Sequence, residues 1–432
     1  MTCAHSWAEI ANAESVFTIE ASQITFGRGA IAEVGALAAA SQPKRVALFT
    51  DRRVAAQPIV AAARASLAKA KIDYAVYDEV KVEPTDASFL AAARFAKEGG
   101  FDAYVSVGGG SVMDTCKAAI LYATYPADFL TYVNKPVGAG TPIPGPLPPH
   151  IACPTTCGTG SELTGIAVCD VLALSAKTGI ASRRLRPTFA VIDPDATRSL
   201  PPSVVAASGF DVLCHAVESF TARPFVTRAH AETPLVRPMS QGRNPWSDVG
   251  SIEALRLGGA HLVRAVTDAS DDEAREKLSW AATLAGVAFG NAGVHVPHAM
   301  AYAVAGLVRD FRMPGYPPAE PMIPHGVSVV VSAPAALAAT ATAAPKRHLE
   351  AAALLGEDVR GAGDDDAGAL LARALERLMR ATNVPVGLSA VGYREADVDA
   401  LTAGTIVQAR LLDNAPLPLD RDRVSAIFRR AL

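Results

Sequence analysis

The chain has 432 residues, half of them hydrophobic, and a net charge of −3. That length exceeds one ordinary core, so two domains are expected, and so mild an acidic balance gives no electrostatic attraction for nucleic acid or an anionic membrane. No apolar run approaches the ~20 residues that span a bilayer. The N-terminal stretch has no basic or apolar leader pattern and no arginine before Arg28, which predicts a cytoplasmic protein without a secretory or transit peptide. Cys3, Cys116, Cys153, Cys157, Cys169 and Cys214 form no Cys-x-x-Cys pair, and they read as reduced, packed thiols rather than a disulfide framework.

In chain order, VFTIEA and QITFGRG predict a β-hairpin near the start. VALFT (46–50) predicts a short buried strand, followed by a helix from about Ala55. YAVYDEV (74–80) predicts another strand, Ala87 to Glu98 a helix, and AYVSVGGG (103–110) an apolar strand running into glycines. IACPTT (151–156) and FAVIDP (189–194) read as later strands. Strands alternating with helices imply a mostly parallel sheet covered on both faces. After Pro201 helical spacing dominates, over 203–222, 249–268, 272–289, 326–343 and 365–382. The run 327–335 is ambiguous and reads as helix from its length. The Pro-rich segments 136–149 and 313–324 read as ordered surface loops. The predicted fold is thus an α/β dinucleotide-binding domain with a mostly parallel sheet over 1–198, then an all-helical metal-binding domain over 199–432.

Gly108, Gly109, Gly110 and Ser111 fall between a buried strand and a helix start. Glycines there let backbone amides approach a pyrophosphate, and the helix N-terminus adds partial positive charge. A tight strand-to-helix turn is the alternative, and the spacing is not Gly-x-Gly-x-x-Gly. Asp51 directly follows the strand VALFT, where a carboxylate can bind a ribose diol and repel a 2′-phosphate, favouring NAD over NADP; it equally suits a helix N-cap.

Asp211 and His215 are spaced i, i+4 in GFDVLCHAVES, so both can reach one ion from a single helix face. Alone, that pair is weak. His298, in VPHAMAY, and His325, in IPHG, are two of only nine histidines, and three imidazoles with one carboxylate suit Fe(II), with Zn(II) possible. His295 is the nearest competitor to His298.

Together, GGGSVMDTCK (108–117), PTTCGTGSE (154–162), GFDVLCHAVES (209–219), VPHAMAY (296–302) and PHG (324–326), in this order, resemble the iron-containing alcohol dehydrogenases over nearly the whole chain. The resemblance implies hydride transfer between an alcohol and NAD, with catalysis in a cleft between the domains and Asp211, His215, His298 and His325 as metal ligands. It further implies that Asp51 contacts the adenosine ribose, that Gly109, Gly110, Ser111 and Asp114 surround the pyrophosphate, and that Thr155, Thr156 and Ser161 lie near the cofactor. Lys177 falls where the family often has a cofactor-side lysine and is a catalytic candidate. Tyr302 stands where many members carry a proton-relay histidine. A phenol does not titrate near neutrality, so any relay through it differs.

KTGIASRRLRPTFAVIDP (177–194), RPMSQGRNPWSD (237–248) and FGNAGVHVPHAMAY (289–302) are similar to the hydroxyacid-oxoacid transhydrogenase branch, as is the insertion at 223–248. The expected reaction oxidises 4-hydroxybutyrate to succinate semialdehyde while reducing 2-oxoglutarate to 2-hydroxyglutarate. Arg184, Arg237 and Arg243 lie in the branch-marking segments and are candidates to clamp a substrate carboxylate. The expected partners are a small alcohol or hydroxy acid and a second copy in a homodimer. A broad primary-alcohol or diol dehydrogenase using free NAD stays open as an alternative, and a dehydroquinate synthase-like lyase is a distant one.

Overall fold

The computed structural model describes residues 13–174, 176–317 and 321–432; Cys3 lies outside them. The chain divides into two units. One comprises Ala21–Pro201 with Ala269–Thr283, and the other Met1–Glu20, Pro202–Asp268 and Leu284–Leu432. A single boundary near residue 198 therefore misses two exchanges: the N-terminal segment belongs with the helices, and part of the helix after residue 270 belongs with the sheet.

The strands of the first unit are β1 (Gln23–Phe26), β2 (Val46–Phe49), β3 (Tyr74–Tyr77), β4 (Ala103–Gly108), β5 (His150–Pro154), β6 (Ile166–Val171), β7 (Ala176–Ala181) and β8 (Phe189–Ile192). Six of them form one sheet in the order β1-β8-β5-β4-β2-β3, every pair parallel. The helices α1 (Val34–Ala39), α2 (Pro58–Lys69), α3 (Asp86–Gly99) and α4 (Gly110–Thr124) cover it.

Alternate strand residues point to opposite faces, and the two faces find different helices. Val46 and Leu48 pack with Val60, Ala63 and Leu67 of α2. Ala47 and Phe49 pack with Ala92 and Ala96 of α3 and Val112 and Cys116 of α4. β2 and β4 are neighbours in the sheet, yet the helices that follow them lie on opposite faces. Such a switch in connection leaves a crevice beyond the carboxyl ends of the two strands, where open α/β sheets bind ligands. Asp51 follows β2 and the Gly109–Ser111 turn follows β4, so the topology brings both to that edge.

The predicted N-terminal hairpin does not form. β1 pairs in parallel with β8, while the preceding residues spend their backbone groups elsewhere. Thr18 N–H donates to Gln241 Oε1 at 2.7 Å and Glu20 N–H to Asn291 Oδ1 at 2.9 Å, satisfying polar groups that a sister strand would otherwise take. The antiparallel ribbon β6–β7 was not predicted. Its inward positions Ala167, Cys169 and Ile180 pack on Leu121 and Tyr122.

In the second unit, α5 (Pro202–Thr221) is buried along most of its length and packs against α6 (Pro245–Thr267). α6 opens on a capping box between Asn244 and Ser247, with Pro245 in its first turn. α7 (Asp272–Ala292) runs across the unit boundary at Leu284, and α8 (Val296–Gly306) and α9 (His325–Val330) follow. The helix predicted over 326–343 is broken after α9. A new helix, Ala333–Thr340, carries Pro334 in its first turn, where the missing N–H costs nothing. Further helices at Pro345–Leu354, Ala367–Ala381, Val398–Ile406 and Arg421–Ala431 complete this mostly helical unit. No helix among the described residues is long and apolar enough to cross a membrane. Cys116, Cys153, Cys157, Cys169 and Cys214 are buried and unbridged.

Candidate metal centre

Three helices deliver four side chains to one point. Asp211 and His215 lie one turn apart on α5, His298 is in the first turn of α8, and His325 begins α9. The Nε2 atoms of His215, His298 and His325 lie 3.6, 3.5 and 3.7 Å from the same oxygen, Asp211 Oδ1. These are too long for hydrogen bonds, and Asp211 Oδ1 and His298 Nε2 are buried without a hydrogen-bond partner. Buried polar atoms left so are costly. Donors bonded to a common ion at about 2.1 Å stand about 3.4 Å apart in a tetrahedral set, so the spacing fits one small cation. The donor atoms of Asp211, His298 and His325 all lie within 4.8 Å of one another, and His215 joins through Asp211.

The surroundings fix the rings. Phe289 stacks on His215 with centroids 3.9 Å apart, and His215 stacks on His298 at 4.7 Å. Glu218, one turn beyond His215 and fully buried, accepts from His298 Nδ1 at 2.5 Å and from the backbone N–H of His295 at 2.7 Å. A carboxylate on Nδ1 leaves Nε2 as the lone-pair donor and raises its basicity. Burial opposes charge on Asp211, but His215, His325 and His298 outweigh it and hold the carboxyl well below its usual range. His215 is pushed down to about 4 by burial despite Asp211. Burial opposes the charged form of His298 as well, yet Glu218 and Asp211 raise it to about 10. His325 is the open side, about a third exposed where the other three are buried. His295 turns away, its Nε2 3.0 Å from Thr221 Oγ1.

Sequence reasoning missed Glu218, although its spacing of i+3 from His215 and i+7 from Asp211 puts it on the same helix face. Tyr302 is half-buried one turn after His298, packed with Phe289, Val294, Ala299 and Leu411.

In the sheet unit the cofactor candidates gather around the β4–α4 turn. Gly109 caps α4 in an extended conformation. A Cβ on Gly110 would stand 2.7 Å from the Thr159 side chain, so this turn has no room for one. Ser111 Oγ accepts from Glu83 N–H at 3.3 Å. Thr155 is buried, its N–H on the Gly108 carbonyl at 2.9 Å; Thr156 faces Gly109. Asp114 accepts from Ser161 Oγ at 2.5 Å and from Val168 N–H at 2.9 Å, tying α4 to the Ser161 turn and β6. Lys117, also missed, completes this network: its buried Nζ donates to Ser161 Oγ at 2.7 Å and to the Ile166 carbonyl at 2.8 Å. Burial lowers it to about 8 against the pull of Asp114 and Glu162.

Asp51 Oδ1 caps the turn after β2, accepting from Arg53 N–H at 2.9 Å and Val54 N–H at 3.0 Å. Lys177 is buried between Glu83 (2.5 Å) and Asp170 (3.0 Å). Burial disfavours its charge, but the two carboxylates raise its affinity for the proton well above the usual lysine value. It therefore stays charged near neutrality and has no proton to exchange there.

The three arginine candidates differ in their surroundings. Arg184 is exposed in a short turn of the sheet unit. Arg237 and Arg243 lie in the helical unit. Arg237 is buried and donates to Thr18 Oγ1 at 2.8 Å and Glu14 Oε2 at 3.3 Å. Arg243 is lowered to about 10 by burial and by Arg347.

Comparison with known proteins identifies the family. The family profile "Iron-containing alcohol dehydrogenase" matches residues 21–194, and "Fe-containing alcohol dehydrogenase family, C-terminal" matches 205–432. The mitochondrial hydroxyacid-oxoacid transhydrogenase of Mus musculus is 47% identical over 422 residues, covering 97% of this chain and 91% of that protein. The Homo sapiens protein of the same name is 47% identical over 418 residues, covering 96% and 90%. A probable mitochondrial hydroxyacid-oxoacid transhydrogenase of Dictyostelium discoideum is 44% identical, covering 98% and 80%. Among solved structures, a 1,3-propanediol oxidoreductase aligns with a TM-score of 0.84 at 28% identity, over 96% of this chain and all of that one. The sulfoacetaldehyde reductase of Bifidobacterium kashiwanohense, solved with NAD+, shares the fold at a TM-score of 0.78 and 24% identity, over 97% of this chain and 99% of that one. The cytoplasmic expectation is corrected by these relatives, which are named mitochondrial; a lack of early basic residues is too weak a signal to assign a compartment. The two profiles together with these near full-length relatives establish that the chain is an oxidoreductase belonging to the iron-containing alcohol dehydrogenase family.

Proposed function

We propose that the enzyme is a hydroxyacid-oxoacid transhydrogenase, in which Asp211, His215, His298 and His325 hold one divalent metal, Fe(II) or Zn(II), and the β4–α4 turn holds NAD. The observation that carries the metal assignment is the approach of three imidazole Nε2 atoms to one partnerless carboxylate oxygen, at 3.5–3.7 Å. When bound, the metal supplies Lewis-acid polarisation of the substrate oxygen and the nicotinamide supplies the hydride acceptor.

The chain's own residues do the rest. Asp211 supplies the negative charge of the set, and Glu218 keeps the His298 ring in the tautomer that offers Nε2. His325, on the open side, borders the route by which a substrate reaches the set. Tyr302, one turn beyond His298, is the candidate to pass a hydrogen bond to the substrate. Gly109, Gly110 and Ser111 present backbone N–H groups at the start of α4 to the pyrophosphate, with Thr155 and Thr156 beside them. Asp51 meets the adenosine ribose through Oδ2, since Oδ1 caps its own turn. Asp114, Ser161 and Lys117 hold the turn in shape, and Lys177 braces it through Glu83, whose N–H meets Ser111. The homodimer expectation rests on exposed apolar side chains of the helical unit, among them Leu235, Trp246 and Val249; sedimentation showing a monomer at micromolar concentration removes it.

The test is a substrate panel. With 4-hydroxybutyrate and 2-oxoglutarate together, and no NAD beyond what the enzyme carries, 2-hydroxyglutarate and succinate semialdehyde should form in equal amounts. Turnover confined to simple alcohols with added NAD would replace this reading with that of a broad alcohol dehydrogenase.

A further inference from the structure

The helical unit contains a cavity of about 220 Å³ lined by three arginines, Arg223, Arg228 and Arg237, with Glu14 as the acid among its described lining residues. None of Asp211, His215, His298 and His325 lines it. Its apolar wall includes Val16, Phe225 and Pro238.

The charges do not balance locally. Glu14 is heavily engaged: it pairs with Arg237 and accepts from the backbone N–H groups of Ser15, Val16 and Ala231. Arg223 donates to neutral acceptors, Thr227 Oγ1 at 3.0 Å and the carbonyls of Asp413 and Thr227. Arg228 donates through Nη2 to Asn414 Oδ1 at 2.7 Å, also neutral, while its buried Nε has no hydrogen-bond partner. Burial and the neighbouring Arg223 lower Arg228 to about 10, with Asp413 offsetting part of this. Two guanidinium groups held near one another, one with an unsatisfied buried N–H, are destabilising without an anion between them. A planar guanidinium fork matches a carboxylate, and the apolar wall suits a carbon chain better than a bare inorganic ion.

We propose that this cavity binds the carboxylate of a small organic acid through Arg223 and Arg228, at a site separate from the metal set. The proposal does not depend on the transhydrogenase reading, because that reading gives Arg223 and Arg228 no role. A non-reacting probe keeps the two apart: succinate has no hydroxyl or carbonyl to be turned over.

Calorimetric titration of the full-length, metal-loaded enzyme with succinate, inorganic phosphate and butane-1,4-diol tests the proposal. Succinate should bind one per chain, the diol should not bind, and chelation of the metal should leave the succinate affinity unchanged. Arg228→Gln should weaken succinate binding about tenfold or more, as loss of a charge-assisted hydrogen bond requires, with turnover of 4-hydroxybutyrate retained. Should Arg228→Gln fail to fold, Arg228→Lys keeps the charge without the fork and should still weaken binding. Loss of succinate binding on chelation would place the ligand at the metal and overturn the proposal. Unchanged affinity in a folded Arg228 variant, or no succinate binding at all, would also overturn it. Phosphate binding more tightly than succinate with the same Arg228 dependence would overturn the organic-acid assignment in favour of an inorganic anion.

Discussion

Glu218 shows how one buried carboxylate can govern a site it does not enter. It reaches His298 Nδ1 and the backbone N–H of His295 together, so it fixes both the ring and the start of α8. Replacing it by Gln keeps the shape and removes the charge; metal affinity should fall about 10–100-fold, read by competition with a chromophoric chelator, while NADH binding stays as in the parent. A second residue-scale prediction concerns His150, buried on β5 with its Nε2 2.8 Å from Ser106 Oγ and its pKa pushed down from 6.5 to about 3, by burial first and Lys117 second. The unfolded chain therefore takes up a proton that the folded chain refuses. Stability is lost as pH falls from about 6.5 towards 3, by up to about 1.4 kcal/mol per pH unit. Thermal melts of His150→Gln over this range should show a shallower acid slope than the parent. At this scale the sequence was partly legible: Asp211 and His215 follow from i, i+4 spacing, but the convergence of His298 and His325 is tertiary and came only through family resemblance. Glu218 and Lys117 lay inside motifs already singled out, yet neither residue type announces burial.

The elements explain why a glycine follows His325. A Cβ on Gly326 would lie 1.8 Å from the Ala207 carbonyl oxygen and 3.1 Å from Asp211 Cβ, so α9 can approach α5 only with hydrogen at that position. Gly326→Ala should push the start of α9 away from α5 and lower metal content well below one per chain. Gly306→Ala, where a Cβ meets nothing within 4 Å, should leave metal content unchanged. The short apolar run of β2, buried at all four positions, and long helices such as α5 and α6 were legible because burial and helical period write themselves into the sequence. The hairpin expectation failed because residues 14–20 bond to Gln241, Asn291 and the Arg228 carbonyl, partners more than two hundred residues away. Strand β7 of the ribbon escaped because AKTGIA lacks the β-branched and aromatic run that marks a strand.

Across the whole molecule, one metal would crosslink α5, α8 and α9, which are joined by long intervening segments. A ligand that binds only the folded state stabilises it by about 2.7 kcal/mol at a hundredfold excess over its dissociation constant. Chelation should therefore lower the thermal midpoint, and Fe(II) or Zn(II) should restore it; a midpoint indifferent to chelation would speak against such a crosslink. The division into a parallel-sheet unit and a helical unit was readable from the change of period after Pro201, whereas the exchange of residues 13–20 and 269–283 between units was not, being a matter of packing rather than of local pattern. The most direct test of the central claim is elemental analysis of the parent enzyme and His298→Ala, combined with NADH titration of both. The four-residue centre predicts about one Fe or Zn per chain in the parent, little in the variant, and equal NADH affinity. A full complement of metal retained by folded His298→Ala would contradict it.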